Sequence, residues 1–328
     1  MDNANIEKST TPRVKDAAGV FFFCVAASLG LQIALAIALM IWKGADGVDL
    51  LSSSFVFTVG TSVMLQGAML LVLYLWTNAR KINPLPAIRA VPLKPLGWGY
   101  AAVTGLAALF GFMYIAAAAD YLFALIGYDA GMPDGFSFDT AGKMIAGIVC
   151  VALLPAVVEE AVFRGIVLRG LSRMGKIPAI LLSAAAFCLT HMNPAQTVHQ
   201  FLLGIALAAA AVETGSLTAP MIMHFLNNAI VIVLDFAGAD MSFGLADKHF
   251  FWLAPVMLIA GAGIIIGASA SYRKFSKKGG YAPPPELFPP REKFGALMLE
   301  ENNTILFGLG AFIITTVVWI TMLAIGLI

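Results

Sequence analysis

Charged residues are scarce in this sequence, and their scarcity limits the class of protein that it can encode. Only 12% of the 328 residues are charged, whereas 60% are hydrophobic. A soluble domain carries about 25% charged and about 45–50% apolar residues, so this chain has too few charges to cover a water-facing surface. The alternation of apolar and polar residues that is typical of a membrane β-barrel is also missing. The composition therefore favours membrane-spanning helices.

The sequence also has few cysteines and a small net charge, and it lacks two common hydrolase motifs. Cys24, Cys150 and Cys188 lie in apolar runs without metal-like spacing, so we expect buried free thiols. The net charge is +1, which predicts no nucleic-acid partner. The chain has neither a GxSxG nor an HExxH motif, so it lacks the sequence signatures of a serine hydrolase and of an HExxH zinc protease.

Apolar runs are what the sequence has in abundance, and each is near the length needed to cross a membrane. About 20 residues in a helix span ~30 Å of hydrocarbon. We therefore predict an all-α polytopic membrane protein with about nine transmembrane helices and the lipid bilayer as a partner. The predicted spans are residues 17–42, 53–76, 98–127, 143–171, 177–193, 196–212, 217–236, 250–271 and 304–328.

The distribution of Lys and Arg between these runs predicts how the chain crosses the membrane. Basic residues collect on the cytoplasmic side. Here they are concentrated before the first run and in the second, fourth and eighth loops. We therefore expect an integral, multi-pass protein with a cytoplasmic N-terminus and an external C-terminus.

The stretch PAVVEEAVFRG places two carboxylates and a guanidinium inside an apolar run, where ionisable groups are costly. Glu160 and Arg164 are four residues apart with the acid first, which favours an ion pair. Adjacent helical residues point about 100° apart, so Glu159 faces another direction. We expect Glu160 to be structural and Glu159 to be available for chemistry. Pro155 cannot donate a backbone hydrogen bond to the carbonyl of Val151, which predicts a kink.

Two further spans carry polar side chains at helical spacing. Phe187 and His191 share a face in FCLTHMNP, and His224 and Asn228 share a face in PMIMHFLNNA. With a rise of ~1.5 Å per residue, these groups and Glu159 lie ~10–21 Å from the predicted cytoplasmic ends of their spans. We therefore expect them to meet inside the helix bundle, although each alone is more simply explained as a helix-packing residue.

This set of side chains suits a hydrolase. Glu159 can take a proton from water, His191 can orient that water, and His224 and Asn228 can donate hydrogen bonds to a developing oxyanion. The same Glu and two His also match a zinc site with an open fourth position, in which Glu159, His191 and His224 would bind zinc or another divalent metal. The residues leave both mechanisms open. We favour no metal cofactor, because His224 pairs naturally with Asn228 as a donor.

The motifs EExxxR, FxxxH and HxxxN follow one another on successive segments, at 159–164, 187–191 and 224–228. In this order they resemble the CPBP (Abi) family of intramembrane proteases, which includes type II CAAX prenyl proteases and bacteriocin-processing proteins. The resemblance covers roughly residues 140–235. It implies an eight-helix-type intramembrane protease core, to which this chain would add a C-terminal span.

The resemblance also implies an activity, a substrate class and a role for each motif residue. The activity is that of an endopeptidase, and the substrate is a membrane-anchored or lipid-modified peptide such as a prenylated CAAX C-terminus. The implied catalytic residues are Glu159, His191, His224 and Asn228, and the implied supporting residues are Glu160, Arg164 and Phe187.

We therefore expect an intramembrane endopeptidase. The alternative is a non-catalytic scaffold or immunity protein of the same fold, although no motif position is lost. A transporter is a third reading, but the sequence shows no inverted repeat. The expected organisation is a cytoplasmic tail at 1–16, a transmembrane core at 17–272 with the protease-like region at 140–235, a basic Pro/Gly-rich linker at 273–303 and a C-terminal helix at 304–328.

Overall fold

The computed structural model describes residues 12–44, 54–82, 93–128, 137–239, 252–279 and 302–325, of which most are helical and none is in a strand. This confirms the predicted all-α polytopic fold. The helices, numbered in chain order, are α1 (Val14–Lys43), α2 (Phe55–Ala79), α3 (Pro95–Leu125), α4 (Ala141–Met174), α5 (Lys176–Thr190), α6 (Thr197–Thr214), α7 (Thr218–Phe236), α8 (Leu253–Lys278) and α9 (Asn302–Ile325).

Each of the nine predicted spans corresponds to one of these helices, but they are not all membrane-spanning by length. Within the described ranges, eight helices are long and apolar enough to cross a membrane. The exception is α5, whose 15 residues extend only about 22 Å. It begins directly after Gly175, which turns the chain with a φ of 101°. The fifth span is therefore shorter than the sequence predicted.

The predicted start of the linker, residue 273, lies inside α8. Helix α8 continues to Lys278, so the basic residues at the start of the predicted linker extend this helix. Cations are favourable at a helix C-terminus, which explains the extension. The rest of the linker, 280–301, and most of the N-terminal tail, 1–11, lie outside the described residues. The direction in which the chain crosses the membrane stays a prediction.

Helix α4 is irregular where the paired glutamates lie. A π-helical segment, Ile148–Leu153, precedes the short α-helical segment Leu154–Glu160, and a second π-helical segment, Ala161–Val167, follows it. Pro155 stands at the start of the central segment and provides no backbone N–H. The predicted distortion therefore occurs as a change in helical winding. Such π-segments are frequent at functional sites.

Helix α4 packs against α2, α5 and α7, so its different faces meet different helices. One buried apolar cluster joins α4 to α1, α2, α5 and α9 and contains Phe163 and Phe187. A second cluster joins α3, α6, α7 and α8 and contains Leu207 and Met223. The side chains of Glu159 and Glu160 therefore extend from a helix that other helices enclose on several sides.

Helices α3 and α8 cross at two facing glycines. A Cβ atom on Gly261 would lie 2.8 Å from the carbonyl oxygen of Ala107 and 2.8 Å from the Cα of Gly111. Small residues allow this close approach between membrane helices. We expect Gly261→Ala to lower the free energy of unfolding by about 1–3 kcal/mol, because the crossing must open.

The matched control for this change is Gly263→Ala on the same helix. A Cβ at Gly263 would meet nothing within 4 Å, so this variant should be as stable as the parent. Reversible unfolding of purified protein in mixed detergent micelles compares the two. Equal stability of the two variants would contradict the close crossing.

Candidate active site

The three motif segments meet around the ring of Phe187. Its centroid lies 4.9 Å from the ring of His191 and 5.7 Å from the ring of His224. The guanidinium carbon of Arg164 lies 4.5 Å from the same centroid, which is a cation–π distance. Phe187 is fully buried. The predicted supporting residue thus contacts one residue from each motif segment, and the segments share one region of the bundle.

Glu160 is bound by two other motif residues. Its Oε1 accepts from Nη1 of Arg164 at 2.7 Å, which is the ion pair that the spacing predicts, and it lies 3.0 Å from Nδ1 of His224 on α7. Arg164 in turn donates from Nη2 to the carbonyl of Gly204 on α6 at 3.1 Å. A buried ion pair needs such additional hydrogen bonds to offset its loss of water. Glu160 therefore links α4 to α7, and its ion-pair partner reaches α6.

The contact with Glu160 constrains the protonation of His224. An ionised carboxylate only accepts hydrogen bonds, so Nδ1 of His224 carries a proton. Its Nε2 then holds a lone pair in the neutral ring and carries a proton only in the imidazolium form. His224 can donate to an oxyanion through Nε2 only when the ring is charged. The sequence did not predict this contact, because it joins residues on separate helices.

Glu159 faces α2 and has a different partner. Its Oε1 accepts from Nε2 of Gln66 at 2.7 Å, and both side chains are buried, at 8% and 5% exposure. Oε2 of Glu159 has no hydrogen-bond partner within the described parts of the chain. The same is true of Oε2 of Glu160, but that residue is 0% exposed. Both unpartnered oxygens are buried, and the two residues differ in that Glu159 keeps 8% of its surface exposed whereas Glu160 keeps none.

Gln66 is the residue of this region that sequence reasoning missed. The only signal was a carboxamide in the middle of an apolar span that has no charged residue. Without a partner at helical spacing, such an amide does not stand out. Its contact with Glu159 depends on how α2 is rotated against α4, which the sequence pattern of α2 does not determine.

His191 lies at the C-terminal cap of α5 and is half-buried. Its Nδ1 lies 2.9 Å from the carbonyl oxygen of Phe187, one turn earlier. A carbonyl only accepts, so this nitrogen carries the proton and Nε2 holds the lone pair of the neutral ring. His191 can therefore accept a hydrogen bond through Nε2.

The ninth helix contacts Thr197 at the start of α6. Nε1 of Trp319 donates to Oγ1 of Thr197 at 2.6 Å, and Thr197 donates to the carbonyl of Asn193 at 3.0 Å. Helix α9 also packs along α1, where the rings of Phe312 and Phe21 lie 4.9 Å apart. Helix α9 thus packs along α1 and contacts Thr197, the first residue of α6, directly after the α5–α6 loop.

Asn228 lies against the backbone of α4. Its Nδ2 donates to the carbonyl of Val151 at 3.2 Å, and its Oδ1 accepts from Asn227 at 3.1 Å. Val151 is four residues before Pro155, which cannot provide that carbonyl with a backbone donor. These bonds leave Asn228 one N–H for another acceptor. The sequence predicted this residue only as an oxyanion donor and did not predict its bond to α4.

The predicted metal ligands are not gathered into a metal site. Among the described residues, no group of three or more His, Cys, Asp or Glu side chains could hold a metal ion. Within this set, Oε1 of Glu159 is occupied by Gln66 and Nδ1 of His224 is occupied by Glu160. As arranged, these residues do not fit a metal ion.

Comparison with known families agrees with this geometry. Residues 141–230 match a family model described as type II CAAX prenyl endopeptidase Rce1-like. The segment runs from the start of α4 into α7 and includes every residue of the three motifs. Residues 141–230 therefore form an Rce1-like domain, and the predicted resemblance to the CPBP family is confirmed. Searches of curated proteins and of solved structures found no match to the chain.

Proposed function

We propose that this protein is an intramembrane endopeptidase that hydrolyses a membrane-anchored or lipid-modified peptide with water activated by Glu159. The Rce1-like domain supports the peptidase class. The observation that carries the proposal is the arrangement of Glu159. One of its oxygens is held by Gln66, and the other has no protein partner in the described chain. A general base needs such a fixed carboxylate with one oxygen directed at the water.

In the proposed reaction, Oε2 of Glu159 takes a proton from water as the water oxygen attacks the scissile carbonyl. Nε2 of His191 accepts a hydrogen bond from the other O–H of the water, which keeps its proton, and so orients the attacking lone pair. Glu159 then gives its proton to the leaving amine as the carbon–nitrogen bond breaks. General acid–base catalysis of this kind contributes about 10²–10⁴-fold to the rate.

The carbonyl oxygen becomes negatively charged during the attack and requires donors. His224 can donate from Nε2 when its ring is charged, and its Nδ1 lies 3.0 Å from Oε1 of Glu160, which holds the ring in place. Asn228 provides the N–H that Val151 does not use. Donors that are fixed before the reaction stabilise this charge without reorganising. Phe187, Glu160 and Arg164 support the site by holding the two histidines and α4 in place.

The position of the site and the Rce1-like domain support the proposed substrate class. The candidate residues lie in or beside helices α4, α5 and α7, and α4 and α7 are long and apolar enough to span a membrane. A peptide that is anchored in the bilayer is concentrated at that depth, whereas a soluble peptide must leave water. We therefore propose prenylated CAAX-type C-termini as the first substrates to test.

The test uses purified protein in liposomes with three peptides: a farnesylated CAAX peptide, the same peptide without the lipid, and an anchored peptide with another C-terminus. Mass spectrometry identifies the bond that is cleaved. We expect cleavage of an anchored peptide and its loss in His191→Ala and His224→Ala. A folded wild-type protein that cleaves none of the three would favour the non-catalytic scaffold.

A further inference from the structure

We propose that Gln66 on α2 is the positioning residue of Glu159, although it lies outside the Rce1-like segment. The inference rests on the proposed role of Glu159 as the general base. It extends the catalytic apparatus beyond residues 141–230 to a helix that the family model does not cover. Gln66 acts through Glu159 and requires no contact with the substrate.

Hydrogen-bond chemistry fixes how the two side chains face each other. An ionised carboxylate can only accept, so Gln66 must present Nε2 rather than Oε1 to Glu159. The 2.7 Å bond occupies one carboxylate oxygen and restricts the rotation of a long side chain. With Oε1 held by Gln66, the position of Oε2 of Glu159 is restricted as well. Catalytic groups need their geometry held within about 0.5 Å, and this bond provides that restraint.

The surroundings of Gln66 indicate that packing alone does not explain the residue. Helix α2 contains no charged residue, and Gln66 is one of its few buried side chains. Burying a carboxamide is costly unless it is hydrogen-bonded, and an apolar side chain would fill the same space without that cost. In the described chain, Oε1 of Gln66 has no hydrogen-bond partner. The amide is thus buried although its carbonyl oxygen has no hydrogen-bond partner among the described residues.

The same face of α2 provides a matched control. Ser62 lies one turn before Gln66 and donates to the carbonyl of Cys150 on α4 at 3.2 Å. Both residues therefore join α2 to α4 by a hydrogen bond, but only Gln66 reaches Glu159. Ser62→Ala removes an interhelical bond and leaves the carboxylate untouched.

The experiment measures kcat, KM and thermal stability for Gln66→Leu, Gln66→Asn and Ser62→Ala in the full-length protein, with a cleavable anchored peptide. We expect Gln66→Leu to lower kcat about 10–100-fold, since misplacement by ~1 Å costs up to about 10²-fold. KM should change less than about twofold, because substrate binding is untouched. Gln66→Asn keeps the amide but is one methylene too short, so it should also lower kcat. Ser62→Ala should keep the parent kcat.

A further comparison separates positioning from a structural role. When Gln66→Leu is added to Glu159→Gln, the residual rate should not fall again, because the group through which Gln66 acts is already lost. A structural role would lower the rate, or the yield of folded protein, in both backgrounds. Unchanged kcat in folded Gln66→Leu and Gln66→Asn, with Glu159→Gln inactive, overturns the role of Gln66 alone. Full activity in Glu159→Gln overturns the proposed function itself.

Discussion

Glu159→Gln is expected to lower the rate of peptide hydrolysis by about 10²–10⁴-fold, the contribution of a general base. Glutamine has nearly the size of glutamate, and its Oε1 can still accept from Nε2 of Gln66, so the fold is preserved. The amide cannot take a proton from water at neutral pH. The measurement is kcat on an anchored peptide in liposomes, with unfolding followed in parallel.

The control for this variant is Glu213→Gln. Glu213 ends α6, where its carboxylate lies 3.2 Å from Nζ of Lys176 and 3.5 Å from Nε of Arg273. It is an acidic residue of the same bundle outside the motif cluster, and we expect its replacement to leave kcat within about twofold. Glu159→Gln with parent activity, or an equal loss in Glu213→Gln, would contradict the role assigned to Glu159.

Arg164→Met is expected to have the largest effect on stability. It removes the guanidinium that lies 2.7 Å from Glu160 and leaves a carboxylate in a fully buried position. It also removes the donor to the Gly204 carbonyl and the contact with Phe187. Breaking a buried ion pair from one side costs about 3–5 kcal/mol, and the free energy of unfolding should fall by that amount.

Two comparisons test whether the unpaired buried charge of Glu160 causes the loss of stability in Arg164→Met. Arg80→Met removes a partner of Asp16 at 3.3 Å, but Arg80 is 40% exposed and Asp16 keeps the indole N–H of Trp76. We expect a cost of about 0–1 kcal/mol for that change. Adding Glu160→Met to Arg164→Met should restore part of the lost stability, because no buried charge remains. If Arg164→Met were as stable as Arg80→Met, the buried pair would not anchor α4.

Local spacing and hydrocarbon thickness account for what the sequence could predict. The nine helices of the described ranges follow from apolar runs, because a chain in lipid must satisfy its backbone hydrogen bonds within each helix. The ion pair between Glu160 and Arg164 follows from their spacing of four residues, which places both side chains on one face of a helix. The fifth helix is shorter than predicted, because Gly175 and the cap at His191 limit it to 15 residues.

Contacts between side chains on different helices could not be predicted from the sequence, because they depend on how each helix is rotated in the bundle. The sequence paired His224 with Asn228 from their spacing on α7. In the structure, His224 turns to Glu160 and Asn228 to the carbonyl of Val151. Pro155 signalled a carbonyl without its usual donor, but not which helix would supply one. In the same way, the free direction of Glu159 was predicted and its partner Gln66 was not.

A single-turnover hydrolysis in ¹⁸O-labelled water tests most directly whether Glu159 activates water. Enzyme in excess over an anchored peptide is allowed one turnover, and mass spectrometry examines both the product and the enzyme peptide that contains Glu159. We predict one ¹⁸O in the new C-terminal carboxylate of the product and none in Glu159. Label in Glu159 with an unlabelled product would show that the carboxylate attacks the carbonyl itself, which would contradict the account.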